Sequence, residues 1–195
     1  LLADELLRRR GVRDRTDLAI YTPEPYPMPT AGETVGRALQ TLVESRGIRL
    51  HTGHQVTQVD PIRRRLAFAN GASAAFDLLI GVPPHRAPRV VRESGLLGTA
   101  AWVPADPATL RTARPEVYAI GDVAADPIAG GKMLPKAGVF AHAQAEVVAE
   151  NIARELAGRA PTRRFDGHGW CAVETGNGRA AWGSGNFYAP AGPDI

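Results

Sequence analysis

The sequence predicts an α/β fold built on a parallel sheet, and three observations support this. Helix-like and strand-like segments alternate from residue 1 to residue 50. Their connections are short, and parallel neighbours need a helix-length return path between them. The apolar run Asp77–Val82 is typical of a strand buried on both faces. We therefore expect a parallel βαβ unit that carries an antiparallel insertion.

The first half of the chain accounts for the βαβ unit. Leu1, Leu2, Leu6 and Leu7 form an apolar stripe that ends in arginines and Gly11, as in the last turns of an amphipathic helix. No Met or N-cap residue precedes it, so we expect a fragment, or a chain whose beginning is absent. The next predicted elements are a strand at 18–22 closed by the proline-rich stretch 23–29, a helix at 32–45 and a strand from residue 48.

An antiparallel meander is expected next. Alternating segments at 54–60 and 63–68 are joined by Pro61, and an Asn70-Gly71 turn leads to a third segment at 73–76. The apolar run 77–82 follows as a buried strand, and Pro83-Pro84 ends it.

The second half is richer in loops. A linker is expected at 95–106, a strand at Val117–Ile120 and a loop from Gly121 to Pro135. A long helix is predicted over 137–157, because its apolar residues share one face and Gly158 follows it. Two final strands are expected within 165–188, around Gly176-Asn177-Gly178.

Composition narrows the function classes. The net charge is +3 with the arginines scattered among acids, which argues against a nucleic-acid partner. The single cysteine, Cys171, excludes an internal disulfide, and the five scattered histidines do not have metal-ligand spacing. No apolar run reaches the roughly 20 residues that span a bilayer, so we expect the chain itself to be soluble.

The most specific motif runs from Thr112 to Asp122. It is a strand that ends in Gly121 and Asp122, where glycine permits close ligand approach and the carboxylate can accept hydrogen bonds from hydroxyl groups. It resembles the second FAD-contacting motif of two-dinucleotide-domain flavoproteins: a Thr, four variable residues, then hydrophobic, aromatic, Ala, any residue, Gly, Asp. The resemblance implies that Gly121, Asp122 and Val123 contact the flavin ribityl region. The alternative is a strand followed by an ordinary turn aspartate.

A second motif, Pro135-Lys136-Ala137-Gly138, opens the long helix. A helix N-terminus stabilises negative charge such as that of a reduced flavin. The motif resembles sulfide:quinone oxidoreductases and flavocytochrome c sulfide dehydrogenases, and this implies that Lys136, Ala137 and Gly138 lie near the flavin ring. Lys136 could instead be a solvated surface amine, and His142 could face either flavin or solvent.

The resemblance extends over nearly the whole chain and implies a domain order. Residues 1–97 would form a Rossmann-like, nicotinamide-nucleotide-binding-like domain, 98–160 the C-terminal part of an FAD-binding domain, and 161–195 a C-terminal hairpin or interface segment. NAD(P)H is a possible second cofactor. No G-x-G-x-x-G sequence is present, so only the second half of a flavin site can be argued and flavin binding by this chain alone is left open.

Cys171 resembles the C-terminal cysteine that accepts sulfide sulfur in the sulfide-oxidising relatives, although unpaired cysteine also serves as a small apolar filler. Five of the twelve aromatic residues lie in the last stretch and could line a quinone site or a small core.

The function expected from the resemblance is FAD-dependent electron transfer from sulfide to a quinone-type acceptor. One alternative is a flavoprotein of the NADH dehydrogenase or ferredoxin reductase type, and another is a non-catalytic α/β module. The expected location is the cytoplasm, or peripheral contact with the inner membrane face in a full-length protein.

Overall fold

The computed structural model describes residues 1–190 and 192, and these divide into two compact units. The first unit comprises residues 1–83 and 172–181, and the described residues of the second are 84–171, 182–190 and 192. The predicted boundaries after residues 97 and 160 stay predictions. Part of the last predicted segment, residues 191 and 193–195, lies outside the described residues.

The first unit contains the predicted βαβ arrangement and meander. Its complete elements are α1 (Leu2–Arg9), a 3-10 turn (Arg13–Arg15), β1 (Ala19–Tyr21), a 3-10 turn (Pro29–Ala31), α2 (Glu33–Ser45), β2 (Arg49–His51), β3 (Val56–Asp60), β4 (Arg65–Phe68) and β5 (Ser73–Ala75). β1 and β2 pair in parallel, with α2 as the crossover between them. β3, β4 and β5 form an antiparallel sheet, with an irregular register near Val56. The α/β prediction is confirmed.

One predicted strand of this unit is wrong. Residues 77–82 belong to no strand of the described part of the chain, and their apolar side chains face solvent. Leu78, Ile80 and Val82 are 79%, 80% and 84% exposed. A strand needs a neighbouring backbone edge to satisfy its N–H and C=O groups, and none of the strands in the described residues pairs with this run.

The second unit is organised around one long helix. Its complete elements are α3 (Arg89–Glu93), β6 (Val103–Pro104), a 3-10 turn (Gly121–Val123), β7 (Ala124–Ala125), β8 (Pro127–Ile128), a 3-10 turn (Ala129–Gly131), β9 (Lys132–Met133) and α4 (Gly138–Leu156). The hairpin of β10 (His168–Gly176) and β11 (Arg179–Asn186) contributes its base to this unit and its tip to the first. The long helix and the hairpin are both confirmed.

The predicted strand Val117–Ile120 is wrong in its extent. Only Tyr118 forms an isolated β-bridge, with Arg111, while Ala119 N donates to Leu110 O at 3.0 Å. The segment is held by a loop rather than by a long strand, so its pairing ends after one bridge. The predicted loop 121–135 contains three short strands: β7 pairs in parallel with β6, which lies outside the loop, and β8 pairs with β9 in antiparallel.

The main core of the second unit lies on one face of α4. Phe140, Val147 and Val148 pack there with residues from the loops and the C-terminal segment, which are Leu110, Ile128, Leu134, Phe165 and Phe187. The Phe140 ring meets Phe187 edge to face at 5.0 Å between ring centroids. This packing fixes the first turns of α4, where the predicted site residues lie. None of the helices in the described residues is long and apolar enough to cross a bilayer.

Candidate functional site

Gly121 begins the turn that carries the first predicted site residues. The backbone is extended at Ile120, and Gly121 then adopts a left-handed conformation with φ of 64°. A Cβ atom at this position would lie 3.0 Å from the Cβ of Ala141 on α4. Glycine is therefore favoured twice, by its backbone conformation and by the close approach of the turn to the helix. The 3-10 turn Gly121–Val123 puts Asp122 at an exposed position beside the start of α4.

Lys136 approaches the same turn from the segment before α4. Its side chain is partly buried: Nζ donates a hydrogen bond to Ala124 O and lies 4.5 Å from the ring centroid of Trp102. Burial lowers the pKa of Lys136, and the negative charges of Asp126 and Asp122 oppose that shift. Lys136 is thus a desolvated cation within electrostatic range of Asp122 rather than a freely solvated amine.

The start of α4 leaves backbone donors available. Ala137 is the N-cap residue and makes no side-chain capping hydrogen bond, while Gly138 begins the helix at an exposed position. The first N–H groups of a helix have no partners within it, so an acceptor near Gly138 would meet unpaired donors and the positive end of the helix dipole. The structure therefore brings together Gly121, Asp122, Lys136, Ala137 and Gly138.

Two buried polar residues, Asp126 and Gln144, join this group and were not predicted. They line a small cavity together with Gly121, Lys136, Ala137 and Phe140. Gln144 had a detectable signal, because it lies four residues after Phe140 and three before Val147 on the buried face of α4. A polar residue in an apolar stripe must find hydrogen bonds. Asp126 gave no comparable signal in its glycine- and proline-rich surroundings.

A comparison with protein families gives a match over most of the chain. Residues 9–146 match the model of the pyridine nucleotide-disulphide oxidoreductases, and this range includes both predicted motifs. The chain belongs to this family. The predicted membership of the pyridine nucleotide-disulphide oxidoreductase family is confirmed.

Individual relatives agree with that family membership. The chain is 26% identical over 186 residues to the mitochondrial sulfide:quinone oxidoreductase of Schizosaccharomyces pombe, covering 91% of this chain and 39% of that protein. It is 25% identical to the mouse mitochondrial sulfide:quinone oxidoreductase, covering 73% and 32% respectively. The structure of the Aquifex aeolicus sulfide:quinone oxidoreductase aligns with a TM-score of 0.76 at 19% identity, covering 96% of this chain and 50% of that one. The chain thus spans half or less of the length of these relatives.

Cys171, the predicted redox residue, lies on β10. Its side chain is exposed, so it is not a buried filler in this structure. Gly169, two residues earlier, packs directly on the Phe140 ring of α4, where a Cβ atom would overlap the ring. Side chains two residues apart share one face of a strand, so Cys171 lies on the face of β10 that meets α4.

The predicted aromatic surface divides into two parts. Phe165 and Phe187 are buried in the core of the second unit. Trp170 and Trp182 stack at 4.3 Å between ring centroids and remain 46% and 63% exposed. His142 is exposed and faces Glu146 at 3.4 Å, so it points to solvent rather than into the cavity.

Proposed function

We propose that this chain is the C-terminal part of an FAD-dependent oxidoreductase of the sulfide:quinone oxidoreductase type. The observation that carries the proposal is the approach of the Gly121–Asp122 turn to the uncapped start of α4, with Lys136 beside both. The sequence similarity to two mitochondrial sulfide:quinone oxidoreductases supports the same function. The electron donor would be sulfide and the acceptor a quinone.

The described residues fit one end of a flavin. The exposed carboxylate of Asp122 can accept hydrogen bonds from ribityl hydroxyl groups, and the lack of a side chain at Gly121 lets the turn lie against Ala141. The Lys136 ammonium and the first N–H groups of α4 favour a negatively charged ring edge. The chain has no G-x-G-x-x-G motif to bind the pyrophosphate of FAD. The pyrophosphate and adenosine would therefore be held by other parts of the complete protein.

The role of this chain's residues is to bind and polarise the cofactor. When bound, the flavin would supply the two-electron chemistry that links donor to acceptor. Asp122 would orient the ribityl chain, and Val123 would continue that contact. Lys136, Ala137 and Gly138 would stabilise negative charge on the ring by their ammonium and amide donors.

Cys171 is the proposed sulfur acceptor. Its thiol is exposed on the face of β10 that meets α4, and Gly169 on that same face contacts Phe140, which lines the cavity. In a disulfide with a second cysteine of the complete protein, the Cys171 sulfur could be attacked by sulfide, which would leave a persulfide on one cysteine and release the other as a thiolate; exposure makes that attack possible. The stacked Trp170–Trp182 pair, which lies on the opposite face of β10 from Cys171, would offer an apolar platform to a quinone.

The flavin proposal is tested in the full-length protein with the variants Asp122→Ala and Asp77→Ala. Asp122→Ala is expected to lower the flavin bound per protein, measured by visible absorbance, and to weaken FAD affinity at least tenfold. Asp77→Ala removes another exposed carboxylate, in the first unit, and should leave both unchanged. Full flavin content and affinity in Asp122→Ala would overturn the assignment.

The donor is tested separately with Cys171→Ser. We expect this variant to keep its flavin and to lose sulfide-dependent quinone reduction. Unchanged sulfide oxidation would remove Cys171 from the reaction. Rapid flavin reduction by NADH but not by sulfide would instead favour the NADH dehydrogenase or ferredoxin reductase type.

A further inference from the structure

Gln144 joins two separate segments through one buried side chain. It is fully buried on α4, and its Oε1 accepts a hydrogen bond from Gly121 N at 2.6 Å. Its Nε2 donates to Asp126 Oδ2, also at 2.6 Å. The two bonds fix the orientation of the amide, because the oxygen must face the N–H group and the nitrogen must face the carboxyl group. Loss of either bond would leave the buried amide of Gln144 without a partner, which costs free energy.

Asp126 is also held by a backbone hydrogen bond, in addition to the bond from Gln144. Its backbone oxygen accepts a hydrogen bond from Leu134 N at 2.8 Å, which ties it to the segment that leads into Lys136. Asp126 is 3% exposed, and its Oδ1 has no hydrogen-bond partner among the described residues. A buried carboxyl group with an unsatisfied oxygen is costly, so stability alone does not account for Asp126 at this position.

The groups that face Asp126 set its charge. Burial raises the pKa of Asp126, while the hydrogen bond from Gln144 and the positive charge of Lys136 oppose that rise. Tyr188, from the C-terminal segment, also lies within electrostatic range of Asp126. Burial is the main cause of the raised pKa of the Tyr188 phenol, and the negative charge of Asp126 adds to it. The carboxyl group therefore interacts with the Lys136 cation, accepts a hydrogen bond from the Gln144 amide and lies within electrostatic range of the Tyr188 phenol.

We propose that Gln144 and Asp126 are positioning residues for the flavin site: together they hold the Gly121–Asp122 turn and the segment before Lys136 at a fixed place on α4. The proposal rests on the proposed function only for the identity of the ligand. Neither residue would touch the ribityl chain. The pair would act by fixing Asp122, the neighbour of Gly121, and Lys136, two residues after Leu134.

The claim that Gln144 holds the Gly121–Asp122 turn on α4 is tested without flavin, in the variant Gln144→Leu. Leucine has a similar volume and can make neither hydrogen bond. Amide hydrogen exchange at Gly121 should accelerate by about fivefold or more, the factor expected for loss of a bond worth ~1 kcal/mol. The matched control is Gln40→Leu, which removes a glutamine on α2 that bonds only to exposed neighbours. Unchanged exchange at Gly121 would overturn the proposal whether or not flavin binds.

The positioning part is tested by flavin affinity in the full-length protein. Gln144→Leu should weaken FAD binding, while Gln40→Leu should not. If Gln144→Leu speeds amide hydrogen exchange at Gly121 but leaves FAD affinity unaltered, Gln144 and Asp126 have only a structural role and the proposal is overturned. Failure of the parent protein to bind FAD would contradict the proposed function but leave the exchange result standing.

Gln144→Glu provides a second variant if Gln144→Leu does not fold. Glutamate keeps an acceptor for Gly121 N but puts a second carboxyl group against Asp126. At low pH the two can share a proton, and at higher pH their charges repel each other. FAD affinity should therefore fall with rising pH more steeply than in the parent protein. A parallel pH profile would contradict the positioning role, because a purely structural pair would alter stability and not this dependence.

Discussion

Residues 77–82 and residues 117–124 have similar apolar sequences but opposite environments. In the first run Leu78, Ile80 and Val82 are almost fully exposed, whereas Ala119 and Ala124 in the second are 4% and 1% exposed. The second run bonds to the loop at Leu110 and pairs β7 in parallel with β6. The first pairs with none of the strands in the described residues. An apolar pattern thus predicts the environment that a segment suits, and burial follows only where a partner surface is present.

The largest expected contrast between buried and exposed apolar groups is that between Phe140→Ala and Ile80→Ala. Phe140 packs against Phe187 and Gly169, so its truncation leaves a cavity and should cost about 3–5 kcal/mol of the free energy of unfolding. Ile80 is exposed, and its truncation should change that free energy by less than about 0.5 kcal/mol. Denaturant unfolding measures both. A cost at Ile80 comparable to that at Phe140 would show that the run 77–82 is buried in solution.

Gly121→Ala tests how tightly the second segment is held. A left-handed backbone costs a residue other than glycine about 1–2 kcal/mol, and the added methyl group would also press on Ala141. Gly130→Ala is the matched control, since Gly130 has φ of 75° but no atom within 4 Å of its added Cβ. Thermal unfolding should show the larger loss for Gly121→Ala. Equal losses would mean that the turn does not approach α4 as closely as described.

These environments explain what the sequence could predict. Gly121-Asp122 and Lys136-Ala137-Gly138 were predicted because each combines a recognisable motif with a local element, a turn or a helix start. The strand at 77–82 was wrong because pairing depends on a neighbouring edge that no local pattern reports. The parallel pair β1–β2 was predicted correctly because α2 supplies its crossover within the chain.

The hydrogen bond between Asp126 and Gln144 could not be predicted from the sequence. Gln144 interrupts the apolar stripe of α4, which signals a buried hydrogen bond without naming its partner. Its partners, Gly121 N and Asp126 Oδ2, lie 23 and 18 positions away along the chain. Contacts at that separation depend on how the loop 121–135 folds back onto α4, and its composition does not specify that path.

The pH dependence of stability tests the buried carboxyl group. Because the pKa of Asp126 is raised in the folded chain, the folded state holds its proton more tightly than the unfolded state. The free energy of unfolding contributed by this group should fall as pH rises from about 4 through the folded pKa. Asp126→Asn should remove that fall, and the exposed Asp77→Asn should preserve it. An identical pH profile for Asp126→Asn and the parent chain would contradict the burial of this group.

The smallest expected effect on stability belongs to Ile80→Lys. A charge at this exposed position should change the free energy of unfolding by less than about 0.5 kcal/mol. It should also reduce binding of a hydrophobic dye and self-association at high concentration, because the run 77–82 is a contiguous exposed apolar segment. Thr34→Lys, on the exposed face of α2, adds the same charge elsewhere and should not reduce dye binding. Equal reductions would show that net charge, not this run, governs the association.

Nuclear magnetic resonance titration of this chain with riboflavin or FMN tests the central claim most directly, because amide shifts locate even a weak ligand. We predict that the largest shifts occur at Gly121, Asp122 and Val123 and at Gly138 and Val139, with no change at the Asn70-Gly71 turn of the first unit. Saturable shifts confined to other residues would contradict the assignment of a flavin site to this turn and helix start.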